Sequence, residues 1–161
     1  MVADFRDLSA LAGNFDVVMS CDNAIPHLLD EDDVDLVVQQ MCDQLRPGGL
    51  LIASTRDYET ALAERRRTFP TIDVPGPPRQ LVVRVHEWEA PDSLLYTVRF
   101  LILTQTETGW EVADRATRYR ALPARRLIEA AQRAGLEPAE WMTASDAHFH
   151  QPVLVARRPR T

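Results

Sequence analysis

Two short polar segments each follow an apolar run in this 161-residue chain. The first, Asp22 to His27, follows the run Phe15 to Cys21. The second, Thr55 to Tyr58, follows Leu50 to Ser54. Arg56 suits a carboxylate, because its guanidinium fork donates two parallel hydrogen bonds; it also reads as a solvated arginine at a helix start. Asn23 is an amide for ligand contact or a turn residue before Pro26. His27 reads as a ligand contact, a base or a neutral structural histidine. Tyr58 and Tyr96 fit a cavity wall and core packing equally. The four histidines have no spaced acid or thiol partners of a metal site, and no metal is expected.

The elements that must position these residues follow from periodicity. Phe15–Cys21 and Leu50–Ser54 read as buried strands. Between them Asp30 caps a helix running to Leu45, with Glu31, Asp32, Asp33 and Asp35 at its positive end. Val34, Val37, Val38, Met41 and Leu45 form its apolar stripe, and Gly48 or Gly49 is the left-handed residue expected to end it. Two such strands joined by a helix predict an α/β fold with a mostly parallel sheet. Ligands of such sheets lie beyond the carboxyl ends of the strands, where both polar segments sit.

Arg56–Arg67 reads as a short helix and Thr68–Pro78 as a loop with four prolines. Leu81–Trp88, Leu94–Thr104 and Trp110–Tyr119 predict an antiparallel meander. Tyr96, Val98, Phe100 and Ile102 share one of its faces. Pro123 opens a last helix that Gly135 closes, with Leu127, Ile128, Ala131 and Ala134 inward. Leu136–Met142 and Val153–Arg157 are the final strands.

Composition narrows the classes. The net charge of −6 argues against a nucleic-acid partner. All 18 basic residues are arginine, so there is no Schiff-base or P-loop lysine. Cys21 and Cys42 have neither disulfide nor zinc spacing and read as buried free thiols. No apolar run approaches the ~20 residues of a membrane span, and a cytoplasmic protein without membrane contact is expected.

The order of these parts resembles the back half of a class I S-adenosylmethionine-dependent methyltransferase. The landmarks are Leu45-Arg-Pro-Gly-Gly-Leu50 before strand 5 and Leu127 to Gly135-Leu136 at the last helix. Val2-Ala-Asp-Phe-Arg-Asp-Leu8 looks like the acidic segment after strand 3 of that fold. The resemblance implies a Rossmann-like sheet ordered 4-5-7-6 and a β-rich substrate cap at about residues 79–120. It also implies S-adenosylmethionine as cofactor, with Asp4, Phe5, Cys21 and His27 on its side. Asp4 takes the place of the acceptor for the adenine amino group, though it also reads as a turn cap. A narrower resemblance is to glycine and sarcosine N-methyltransferases, through Asn23-Ala-Ile-Pro-His27-Leu28 and Arg56-Asp-Tyr58-Glu59. It implies that Asn23, Arg56 and Tyr58 hold a small amine or amino-acid acceptor. No catalytic dyad is expected, because the acceptor lone pair is the nucleophile and alignment carries the reaction.

The glycine-rich loop after strand 1 of that fold is absent from this sequence, as is the acid after strand 2. Strands 1 and 2 are therefore expected to be missing, at least about 60 residues if each βα unit takes ~30. The chain is then expected to bind the cofactor weakly or not at all. A non-catalytic, truncated methyltransferase-like interaction partner is the alternative. Phe15–Ser20 becomes a sheet edge without lysine, proline or bulge, which predicts a homo-oligomer sealed at that strand.

Overall fold

The computed structural model describes residues 4–160. The chain divides into two compact units, residues up to Thr60 with Leu122 onward, and Ala61–Ala121.

The first unit is built on four strands, β1 (Phe15–Ser20), β2 (Leu45–Ser54), β7 (Glu137–Met142) and β8 (Val153–Arg157). Their order is β1-β2-β8-β7, with β1 and β2 parallel and β8 antiparallel to both neighbours. In the numbering of the resembled fold this is 4-5-7-6. The sheet is mixed, which corrects the mostly parallel expectation. Three strands share a direction, but β8 lies between two of them, and only one of the three pairings is parallel.

Helix α1 (Glu31–Asp43) crosses from β1 to β2. The Asp30 carboxylate accepts from the Asp32 amide at 3.1 Å, satisfying one orphan donor of the first turn. Val34, Val37, Val38 and Met41 are buried along it. The helix stops at Asp43, two residues before the expected end, and Gln44 caps it in a right-handed conformation. The Pro47-Gly48-Gly49 stretch therefore does not end the helix. It forms an irregularity inside β2, where the partner register jumps from Phe15–Leu45 to Val17–Leu50. Gly48 has φ +79°. At Gly49 a Cβ would lie 2.9–3.1 Å from the carbonyl oxygens of Arg46, Phe15 and Asp16. Only a glycine lets β1 approach so closely.

Helix α3 (Ala124–Arg133) packs against α1. Pro123 stands at its N-cap rather than within its first turn. Leu127, Ala130 and Ala131 are buried, while Ile128 is only half-buried. Gly135, at φ +76°, ends it. The Gly135 amide donates to the Gln132 carbonyl and the Leu136 amide to that of Ala131, at 3.0 and 3.1 Å, the reciprocal pattern of a glycine-terminated helix. The acidic turn of α1 has a second use here. Arg126 reaches Glu31 and Asp35, and Arg133 also reaches Asp35, at 2.7–3.0 Å.

At the edge of the sheet, Phe15, Val17 and Met19 of β1 are 44, 43 and 61% exposed. The expected buried strand is thus an edge strand, open where no other described strand pairs with it.

The second unit is an antiparallel sheet of β3 (Ile72–Val74), β4 (Gln80–Trp88), β5 (Leu95–Thr106) and β6 (Gly109–Arg120), in that order. β3 lies inside the proline-rich stretch read as a loop and pairs with Gln80–Val82. Tyr96, Val98 and His86 are buried, and Trp88, Tyr96 and Tyr119 stack along one face. Arg65 lies over the Trp88 ring at 4.6 Å. The remaining helix, α2 (Tyr58–Glu64), follows β2. No helix among the described residues is long and apolar enough to cross a membrane.

Candidate functional site

The loops leaving β1 and β2 are tied together by Asn23. Asp22 and Asn23 both hold left-handed backbones, φ +55° and +65°. Two consecutive non-glycine residues in that region cost roughly 1–2 kcal/mol each. The end of β2 fixes them: the Ser54 hydroxyl accepts from the Asp22 amide at 3.0 Å, and the Ser54 carbonyl from the Asn23 amide at 3.1 Å. The Asn23 side-chain oxygen then accepts from the Arg56 amide at 3.1 Å and from the Tyr58 hydroxyl at 3.0 Å. Asn23 is 2% exposed, and its amide nitrogen is buried without a hydrogen-bond partner. An orphaned NH2 group at a ligand-binding end of a sheet has two donors to offer an acceptor oxygen.

The structure thus brings Asn23, Arg56 and Tyr58 together, with distinct positions. Tyr58 is fully buried behind Asn23 and orients it. Arg56 is half-buried and supplies its backbone amide to Asn23. Its guanidinium acts on His27. Desolvation first, and the Arg56 charge second, hold the His27 imidazole below its ordinary range.

His27 closes a one-turn 3-10 helix, Ile25–His27, which Pro26 starts. With Asp4, Phe5, Arg6 and Asp33 it lines a cavity of about 450 Å³. Arg6 grips Asp4 through its backbone amide and guanidinium, at 2.6–3.2 Å, and extends to Asp33 at 3.3 Å. Those hydrogen bonds hold the Asp4 carboxyl down to about 2, so it is ionised under all ordinary conditions. A carboxylate has about four lone-pair sites. Arg6 leaves room for a further donor, such as the adenine amino group. An aromatic ring, an ionised acceptor and this volume fit the adenine end of S-adenosylmethionine.

Cys21 departs from the expectation of a buried thiol. It is exposed, whereas Cys42 is buried. It lines an apolar cavity of about 290 Å³ with Ile52, Ser54, Met142 and Phe149, whereas Asp4, Phe5 and His27 line another. Edge-strand placement explains the exposure. The sequence also leaves unseen the pairing of His150 Nε2 with Asp22 Oδ1 at 2.9 Å. The two stand 128 positions apart, and only the β7–β8 turn brings them together. No group of three or more His, Cys, Asp or Glu among the described residues is placed to hold a metal.

No protein-family model and no curated protein matches the sequence. Solved structures do match its fold. The S-adenosylmethionine-bound amino pentose methyltransferase CalS10 of Micromonospora echinaspora superimposes with a TM-score of 0.81 at 18% identity, over 97% of this chain and 63% of its own. The sugar N-methyltransferase KedS8 of Streptoalloteichus gives 0.72 at 21%, over 98% and 61%. An S-adenosylmethionine-dependent methyltransferase of Clostridium acetobutylicum gives 0.76 at 12%, over 99% and 64%. The architecture is therefore that of S-adenosylmethionine-dependent methyltransferases. The chain spans less than two thirds of the length of each of these proteins.

Proposed function

We propose that this chain is the acceptor-binding and adenine-side part of an S-adenosylmethionine-dependent methyltransferase whose acceptor is a small amine, such as an amino acid or an amino sugar. The observation that carries the reading is the buried, unpartnered Asn23 amide at the carboxyl ends of β1 and β2. The methyltransferase architecture supports it, as do neighbours described as sugar and amino pentose methyltransferases.

The cofactor, when bound, supplies an electrophilic methyl group. Asp4, Phe5 and His27 hold its adenine end. Asn23 donates to an acceptor oxygen of the substrate, a carboxylate or hydroxyl, with Arg56 beside it. Tyr58 keeps Asn23 oriented. Asn23 and Arg56 thereby align a nitrogen lone pair, which is most of what such a transfer requires. A neutral His27 adds no positive charge to the site near pH 7, so it does not disfavour a cationic cofactor.

The test is transfer of a radiolabelled methyl group from S-adenosylmethionine to glycine, sarcosine and an aminopentose by the protein carrying this chain. Asn23→Ala is expected to raise KM for the amine well above its effect on cofactor KM. Absence of transfer to any amine, or an Asn23→Ala effect confined to the cofactor, overturns the reading. The non-catalytic alternative predicts no transfer and no binding of adenosine at the Asp4 cavity.

A further inference from the structure

We infer that β6 is a self-recognition edge, along which a second copy of this chain pairs antiparallel to extend the meander sheet across a two-fold axis. β6 is 12 residues long and, among the described residues, ends its sheet and pairs with β5 alone. Its largest apolar side chains are uncovered: Trp110 is 42% and Val112 61% exposed. The register sets Val112 opposite Leu103 and Leu103 opposite Leu81, so an apolar strip runs from the open edge into the sheet. An antiparallel sheet with such a strip in water marks an interaction surface.

The order of charges selects the occupant. Glu111 and Asp114 fall in the first half of β6, and Arg115, Arg118 and Arg120 in the second. Charges on an edge normally deter pairing. Here, parallel pairing sets acid beside acid and base beside base. Antiparallel pairing of two copies sets the acidic half of each along the basic half of the other. A two-fold axis through the sheet keeps like faces together, so opposed residues must share parity. A register centred on Ala116 meets that rule and sets Asp114 opposite Arg118 twice, each exchanging an ion pair within its own sheet, Asp114 with Arg99 and Arg118 with Glu89. One centred on Ala113 sets Glu111 opposite Arg115 twice. Both centres are alanines, which let two strands close without a bulky contact. Main-chain hydrogen bonds along the strand supply the affinity and the charge order supplies the choice of partner. Of the other edge strands, β3 and β7 have three and six residues, and β1 has six with a single charge, Asp16. Nothing in it selects a second copy.

The test is light scattering of the chain after gel filtration across micromolar concentrations. The expected mass is that of two 18.2-kDa chains. Glu111→Arg with Asp114→Arg makes β6 wholly basic and is expected to weaken the dimer at least tenfold. Adding Arg115→Glu and Arg118→Glu reverses the charge order, keeps the two halves opposite, and is expected to restore it. Circular dichroism checks that each variant folds. Met19→Glu on β1 is expected to leave the dimer intact. A monomeric wild type, a dimer indifferent to the basic variant, failure of the four-fold variant to recover, or dissociation by Met19→Glu alone overturns the inference.

Discussion

Asn23 links two loops through one side-chain oxygen, so its replacement has consequences on both. In Asn23→Ala the buried Tyr58 hydroxyl and the half-buried Arg56 amide lose this acceptor. Alanine also tolerates φ +65° less well than asparagine. Together these should cost about 3 kcal/mol, measured by urea denaturation. Tyr58→Phe removes one donor and should cost about 1 kcal/mol. If both variants unfold at the wild-type midpoint, the linkage is not structural. A second residue-scale expectation concerns His27. Its folded pKa lies below the ordinary 6.5 through desolvation and then the Arg56 charge. Between the folded value and 6.5 the unfolded chain binds more protons, so stability rises with pH there and falls as pH drops through 6.5. His27→Gln should flatten that slope in denaturation midpoints taken from pH 7.5 to about 5. An unchanged slope assigns it to another group. Asn23 was legible in the sequence as a loop polar residue after a strand. Its bond to Tyr58 was not, because that depends on how β1 and β2 register. Cys21 misled for the same kind of reason. An apolar strand reads as buried whichever position it takes, and only the sheet order shows that it lies at an edge.

At the scale of elements, local chemistry was the readable part. The Asp30 cap and the Gly135 terminus involve groups within a few residues of each other, and both stand where the sequence put them. Pro47-Gly48-Gly49 shows where local reading ends. In isolation it looks like a helix-ending turn, but the glycine at 49 answers to the carbonyls of Phe15 and Asp16 on another strand. β3 escaped notice because four prolines surround three residues whose pairing with Gln80–Val82 alone makes them a strand. The two glycines separate these causes experimentally. Gly135→Ala meets open space and pays only for its left-handed backbone, about 1 kcal/mol. Gly49→Ala drives a methyl group into three backbone oxygens that cannot step aside, and should cost clearly more, upwards of 2 kcal/mol. Thermal melts of the two variants check the order. Equal losses would show that β1 moves away freely.

For the whole molecule, the meander was readable from the sequence of elements, while the strand order followed only from the resemblance to a known fold. The mixed pairing was not, since β8 inserts between strands that precede it. β1 leaves Phe15, Val17 and Met19 exposed, and its own single charge is Asp16, paired with Arg46. Such an edge promotes disordered association, distinct from a pairing specified at β6. Met19→Lys should therefore reduce the large-particle fraction in light scattering of concentrated chain, by about half or more if β1 is the main sticky surface. No change would place that surface elsewhere.

The contrast between the two cysteines gives the chain a built-in handle. Cys42 is buried, and its thiol is pushed up in pKa by desolvation, so it resists electrophiles. Cys21 is exposed just past β1. A thiol reagent should titrate one group promptly in the folded chain and two in denaturant. A fluorophore or spin label would then attach at one place without mutagenesis. The absence of lysine leaves amine-directed labels no side chain to modify. A dye on Cys21 sits at the strand end from which Asp22 and Asn23 project, so it can report the arrival of an acceptor there while chemistry is idle.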